Sequence, residues 1–190
     1  MFTFKNYYYL YIENSKVLNF NLIKTRNKFN IIYRNIGKPE NITQLKKFRQ
    51  KCKQKAIGFF IANNIDLCTK LKADGLYVSA YSKKILNPRG FNMKLKIIGS
   101  AHNLKELGLK KKQGCKIIIF SRLFKTNYKN KSDFLGIVKF NLFSKLLGDQ
   151  FVPLGGIRFN NLNKLKIVNS NSMAILSEVK KKPAIIGRLF

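Results

Sequence analysis

Short apolar runs rich in β-branched and aromatic residues recur along the chain, and polar or helix-patterned stretches separate them. Eight of these runs read as strands: 7–12 (YYYLYI), 29–34 (FNIIYR), 56–63 (AIGFFIAN), 75–80 (GLYVSA), 94–101, 116–121, 150–156 and 172–178. Their starts lie mostly 19 to 27 residues apart, with one interval of 34 before the seventh. The intervening stretches carry helix signals. Asn41 stands three residues before Gln44, the spacing of a capping box, at the start of 41–55. Asn103 and Glu106 repeat that spacing in 102–114, which stops at Gly114, the residue type favoured just past a helix end. Asn160 and Asn161 are placed to cap a third helix over NLNKLKIVNS.

Strands that are apolar on both faces and alternate with helices predict a parallel sheet covered on both sides. Eight such units predict an α/β fold, a (β/α)8 TIM barrel, with the loops after the strands forming the active face. A doubly wound sheet competes, but it needs fewer strands and usually a Gly-rich first turn, and the chain has neither GxGxxG nor a P-loop. With 190 residues the barrel must be compact, its first and last helices short or vestigial, and a single domain over 1–190 is expected.

Composition adds less than it first suggests. The chain carries 38 Lys+Arg against 8 Asp+Glu, a formal charge of +30, which invites a polyanion or RNA partner. However, 31 of the cations are Lys and 7 are Arg, beside 21 Asn and 21 Ile. All three abundant types have A- and T-rich codons, and nucleic-acid binding gives no reason for extra Ile. Compositional drift accounts for the excess better, and an RNA-binding barrel stays as the alternative of a different class. No run approaches the roughly 18 apolar residues of a spanning helix, so no membrane partner is expected. The N-terminus lacks a small-residue cleavage site, so it reads as strand and a cytoplasmic location follows. Cys52, Cys68 and Cys115 have no metal-ligand spacing and read as buried free thiols.

In a barrel the chemistry sits where strands end. Strand 2 ends in Arg34, with Lys38 beyond. The scarce Arg offers a fixed fork for phosphate, and Lys38 is equally a solvated loop residue. Asp66 falls inside a helix and Asp74 at the opposite face, so both read as structural and no acidic pair is available for metal or acid–base work. Strand 5 leads through Ser100 to His102, the one His of the chain. It is either a packed or capping residue or an acid–base group. The polar loop after strand 6 offers Lys125, Thr126, Lys129 and Lys131, and Gly155-Gly156 follows strand 7. A Gly-Gly pair is a tight turn or, together with Ser177 after strand 8, the phosphate site common in barrels.

Taken in order, YYYLYIEN, IIYRN, FFIANNIDLCTKLKADGLYVS, IIGSAHNLKEL, LFKTNYK, FVPLGGI and MAILSEV resemble the thiamine phosphate synthase/TenI superfamily. The ADG before strand 4, the SAHN after strand 5 and the GGI after strand 7 carry most of the likeness. That resemblance implies a (β/α)8 barrel of thiamine biosynthesis. Its synthases join hydroxymethylpyrimidine pyrophosphate to thiazole phosphate, with Mg2+ on the pyrophosphate. By position, Arg34 matches the pyrophosphate-contacting Arg, while Thr126, Lys129 and Ser100 match further site residues. Gly155, Gly156 and Ser177 fall where the thiazole phosphate is held. Several positions depart from the pattern. Ile32 and Ile36 replace a Gln and a Lys, Tyr77 replaces a His, and Glu178 stands where a small residue is usual. Asn63 and Ser82 occupy the two metal-ligand positions in place of carboxylates, so no confident metal ligand is left. TenI-type members isomerise a thiazole carboxylate phosphate with a His that His102 matches, and they need no metal pair. Synthase, thiazole tautomerase and a degenerate non-catalytic paralogue all remain open, with small phosphorylated heterocycles as the implied ligands.

Overall fold

A computed structural model describes residues 5–84, 95–126, 133–147 and 151–176. The strands are β1 (Tyr7–Ile12), β2 (Phe29–Tyr33), β3 (Gly58–Ala62), β4 (Gly75–Val78), β5 (Lys96–Ala101), β6 (Ile117–Ser121), β7 (Phe151–Leu154) and β8 (Ser172–Ile175). Each pairs in parallel with the next and β8 returns to β1, closing the barrel. The predicted (β/α)8 architecture is therefore present, with β1 as predicted and the other strands one to three residues shorter at one or both ends.

Strand alternation divides the apolar residues into two cores. Tyr8, Leu10 and Ile12 of β1 face outward and join Phe29, Phe59 and Phe120 beneath the helices. Tyr9 and Tyr11 face inward with Ile32, Phe60, Tyr77 and Ile98, filling the barrel. This double burial is why the strands read as continuous apolar runs.

The outer layer contains α1 (Ile42–Gln54), α2 (Ile65–Lys70), α3 (Leu104–Lys112) and α4 (Gly136–Leu147). Two 3-10 turns, Ser15–Val17 and Phe20–Leu22, replace the helix after β1, as expected for a barrel of 190 residues, while the last helix of that expectation falls in 177–190, outside the described residues. Asn41 caps α1 by accepting from the Thr43 N–H at 2.8 Å. Asn103 caps α3 by accepting from the Glu106 N–H at 2.8 Å, and Gly114 takes a positive φ of 76° just beyond its end. The third predicted helix forms as a 3-10 segment, Phe159–Ile167. Only Leu162 and Leu165 of it are buried, three apart, which suits three residues per turn. Its cap is the Asn161 side chain, which accepts from the Arg158 N–H at 2.8 Å.

At the amino-terminal end of the barrel Asp74 is structural, as expected. Its Oδ1 pairs with Arg49 Nη2 at 2.7 Å and its Oδ2 accepts from the Phe59 N–H at 2.8 Å. Asp66 lies exposed in the first turn of α2. All three cysteines are free and buried. Burial pushes the Cys52 thiol up to about 12 and those of Cys68 and Cys115 to about 11.

Candidate active site at the carboxyl ends of the strands

Arg34 follows β2 directly, and its backbone N–H extends the ladder by donating to Ile12 O at 2.8 Å. It shares the inward parity of Ile32, which lies at 0% exposure in the barrel interior. The half-buried guanidinium makes no hydrogen bond or ion pair with any described residue, and its charge acts on the Tyr11 and Tyr77 phenols. An arginine carries five donors in a fixed fork, so this one is available to an anion.

Below it lies a short ladder of hydroxyls. Tyr77 Oη donates to Ser100 Oγ at 2.7 Å, and Ser100 Oγ also accepts from the Ala80 N–H at 2.9 Å. Ser100 therefore ties the end of β4 to β5 and has its own proton left to donate. The Tyr11 ring meets Tyr77 edge-on, centroids 5.4 Å apart at 88°. Its hydroxyl approaches that of Tyr77 but lies outside hydrogen-bond geometry, and it is buried with no hydrogen-bond partner among the described residues. Burial first, then the neighbouring phenol, pushes the Tyr11 pKa well above its ordinary value, and burial also raises that of Tyr77. Both phenols are neutral donors across the physiological range. Tyr11 was not singled out from the sequence. Its only signal there is the inward alternation of Tyr7, Tyr9 and Tyr11 along β1.

At the two positions that the resemblance assigns to a metal, the Asn63 side chain and the Ser82 backbone carbonyl are held by neighbouring residues. Asn63, at a positive φ of 53°, accepts from the Ser79 N–H at 2.9 Å through Oδ1 and donates to Ser79 Oγ at 3.0 Å through Nδ2. Its amide bolts the loops after β3 and β4 together. The Ser82 carbonyl accepts from Lys110 Nζ at 2.8 Å and from Gln113 Nε2 at 3.0 Å. Among the described residues no three His, Cys, Asp or Glu side chains gather to hold an ion. A neutral amide and a serine beside an ammonium are not the hard anionic donors that Mg2+ wants, so these residues do not fit the metal.

His102 lies further out, its side chain 37% exposed. Its Nδ1 is 2.9 Å from Glu106 Oε2, and the same oxygen accepts from the His102 N–H at 2.7 Å. Glu106 thus reaches one residue further back than a capping box would place it. With a proton on Nδ1 directed at the carboxylate, Nε2 is left as the free nitrogen. Tyr81 lies beside the ring at 5.8 Å between centroids.

On the opposite rim the glycine pair is bound to the loop after β6. Gly155 and Gly156 have φ of 98° and 68°, and Phe124 N–H donates to Gly155 O at 3.0 Å. A Cβ on Gly156 would lie 2.5 Å from Phe124 O, and one on Gly155 would lie 2.9 Å from Arg122 Cγ. Both glycines are thus required by a tight turn. Among the described residues the Gly156 and Ile157 amides have no backbone acceptor. Arg122, not singled out from the sequence, joins this rim and donates to Thr126 Oγ1 at 3.4 Å. Lys38 and Lys125 are exposed loop residues. Lys129, Lys131, Ser177 and Glu178 lie outside the described residues. A cavity of about 470 Å3 opens at the other end of the barrel, among Asn30, Phe60, Asp74 and Lys96, and none of the candidate residues lines it.

Fold and rim together define a (β/α)8 barrel in which Arg34, at the carboxyl end of β2, has no partner among the described residues. The chain belongs to the thiamine monophosphate synthase family, whose sequence profile matches residues 14–179. A thiamine-phosphate synthase of Prochlorococcus marinus (strain SARG) is 30% identical over 152 residues, 78% of this chain but 44% of that protein's length. That of Clostridioides difficile (strain 630) is 26% identical over 149 residues, 78% of this chain and 71% of that protein. Among solved structures, the thiamine phosphate pyrophosphorylase from Pyrococcus furiosus superposes with a TM-score of 0.79 at 18% identity, covering 98% of this chain and 95% of that one. Phosphoribosyl anthranilate isomerase from Thermotoga maritima has the same fold at a TM-score of 0.66 and 10% identity, covering 96% of each chain. No described helix is long and apolar enough to cross a membrane.

Proposed function

We propose that this protein acts in thiamine biosynthesis in the cytoplasm as a single barrel domain, binding phosphorylated heterocycles at the carboxyl ends of its strands. The observation that carries this reading is Arg34, half-buried at the mouth with none of its donors spent on a described residue. In a synthase-type transfer the Arg34 fork takes the pyrophosphate of hydroxymethylpyrimidine pyrophosphate. The bond from the pyrimidine methylene to oxygen breaks, and the electron pair leaves with pyrophosphate. The thiazole nitrogen then forms the new C–N bond. The amides of the Gly155-Gly156 turn, with Ser177 and the loop residues Thr126 and Lys129, hold the thiazole phosphate. Ser100 acts by fixing the end of β4 and presenting one remaining proton to the pocket. Incubation with both phosphorylated precursors should yield thiamine phosphate and pyrophosphate; product no higher than in an enzyme-free blank removes the synthase reading.

A second reading rests on the His102–Glu106 pair. A carboxylate on Nδ1 orients the ring with Nε2 free, an arrangement suited to moving a proton on a bound thiazole carboxylate phosphate. In that tautomerase reading His102 is the catalytic group and Glu106 a positioning residue. His102→Ala should abolish isomerisation with folding intact, and unchanged isomerisation takes His102 out of the chemistry.

A further inference from the structure

We infer that anion binding at this mouth is independent of divalent cations, the phosphate charge being met by protein donors with Arg34 first among them. This rests on the phosphate reading above and concerns how that site balances charge. Two separate features point to it. First, Asn63 uses both ends of its amide on Ser79, through bonds of 2.9 and 3.0 Å, which fix its orientation, and as a neutral amide it supplies no charge to an ion. Second, the loop after β4 is held from behind by a lysine. Lys110 is fully buried on α3, yet its ammonium donates to Ser82 O and to Gln113 Oε1, both at 2.8 Å. Gln113 also donates to the carbonyls of Ser82 and Lys84, at 3.0 and 2.7 Å.

These contacts place a fixed positive charge against the backbone of the residue that would have to approach a metal. A divalent ion drawn to Ser82 would meet that ammonium across a partly buried loop, where screening is weak. Among the described residues the carboxylates near this side offer little in return, Glu106 being held by His102 through Nδ1 and the backbone N–H. Glu40 is committed to Ser15, accepting from its N–H at 2.9 Å, and Asp66 is exposed on α2. Glu13, at the end of β1, is a single half-buried carboxylate with an interaction of its own. In contrast, 38 cations against 8 acids leave the protein rich in charge of the sign a phosphate needs.

Lys110 and Gln113 thus give the β4 loop a support that needs no ion. Their signal in the sequence is weak. Lys110 lies three residues after the buried Leu107 and so shares its helix face, but one lysine among many does not announce burial.

The test is calorimetric titration of the full chain with inorganic pyrophosphate, once in magnesium buffer and once in EDTA. The dissociation constants should agree within about twofold, and Arg34→Ala should weaken binding about tenfold or more in both buffers. Binding that is about tenfold tighter in magnesium overturns the inference while leaving the phosphate reading in place. If Glu13→Gln then removes the magnesium response, Glu13 is the ligand. No saturable heat in either buffer removes the phosphate reading and the inference with it. Equal binding by wild type and Arg34→Ala in EDTA shows a diffuse lysine surface in place of a site, and also overturns it.

Discussion

Two arginines at opposite ends of the barrel show how the same side chain serves two purposes. Arg49, its side chain 7% exposed, sits at the amino-terminal end with its donors spent on neighbours: Nη2 on Asp74 and Nε on the Lys72 carbonyl at 3.2 Å. Asp74 completes the arrangement by accepting from the Phe59 N–H. Arg34, at the carboxyl-terminal end, is half-buried beside two phenols and has no such partners among the described residues. One arginine is spent on the fold, and the other keeps its donors off every described residue, as the proposed anion site requires. With 7 Arg in the chain against 31 Lys, residue type alone does not separate the pair.

The largest effect is expected at the paired end. Asp74→Ala leaves both Arg49 and the Phe59 N–H without an acceptor. Because the Asp74 side chain is 38% exposed, the loss is set below that of a fully buried pair, at about 3 kcal/mol in urea unfolding. A loss close to zero would mean that Asp74 is not a structural acid. At the ligand end, Gly156→Ala must place a Cβ 2.5 Å from Phe124 O at a φ of 68°. It should cost about 2 kcal/mol of stability and weaken thiazole phosphate binding at the same time. A variant as stable as wild type would show that the turn has room.

Tyr11→Phe should act with the opposite sign. Removing a buried hydroxyl that has no hydrogen-bond partner among the described residues should raise stability by about 1 kcal/mol, whereas Tyr77→Phe, which breaks the bond to Ser100, should lower it by a similar amount. If both variants destabilise equally, Tyr11 has a partner that its environment conceals.

How much of this was legible in the residues depends on how local each feature is. The strands, the Asn103 cap and the Gly114 stop were legible because alternation and capping are set within a few residues. Placing Arg34 and Ser100 at strand ends needed only the strand count, and the fate of Asp74 needed only its place before β4. Pairing across the barrel was not legible. Nothing near Lys110 in sequence indicates that its ammonium holds Ser82, 28 residues away, or that Asn63 is closed off by Ser79, 16 residues on. The third predicted helix failed for a related reason. Leu162 and Leu165 fit an α-helical face and a 3-10 turn equally well until packing chooses between them.

The smallest effect lies in pH. The buried thiols titrate at about 11 to 12 in the folded protein, against an ordinary 9.0. Groups with raised folded pKa values contribute stability in full below pH 9.0, and that contribution is lost as pH rises through about 11. Lys110 opposes this, because burial lowers its pKa from 10.5 and the native state then gains as the solution approaches that value. The urea midpoint should therefore hold level to about pH 9 and decline modestly above it. A midpoint that climbs steadily through this window contradicts the burial of the thiols.

The division of labour between the two arginines can be read in a single experiment. Melting temperature and pyrophosphate affinity are measured side by side for wild type, Arg34→Ala and Arg49→Lys. A crossover is expected: Arg34→Ala melts with wild type and loses pyrophosphate binding, while Arg49→Lys melts lower and binds as before. If Arg34→Ala melts lower with its binding intact, Arg34 belongs to the fold and its role as the anion's partner is contradicted.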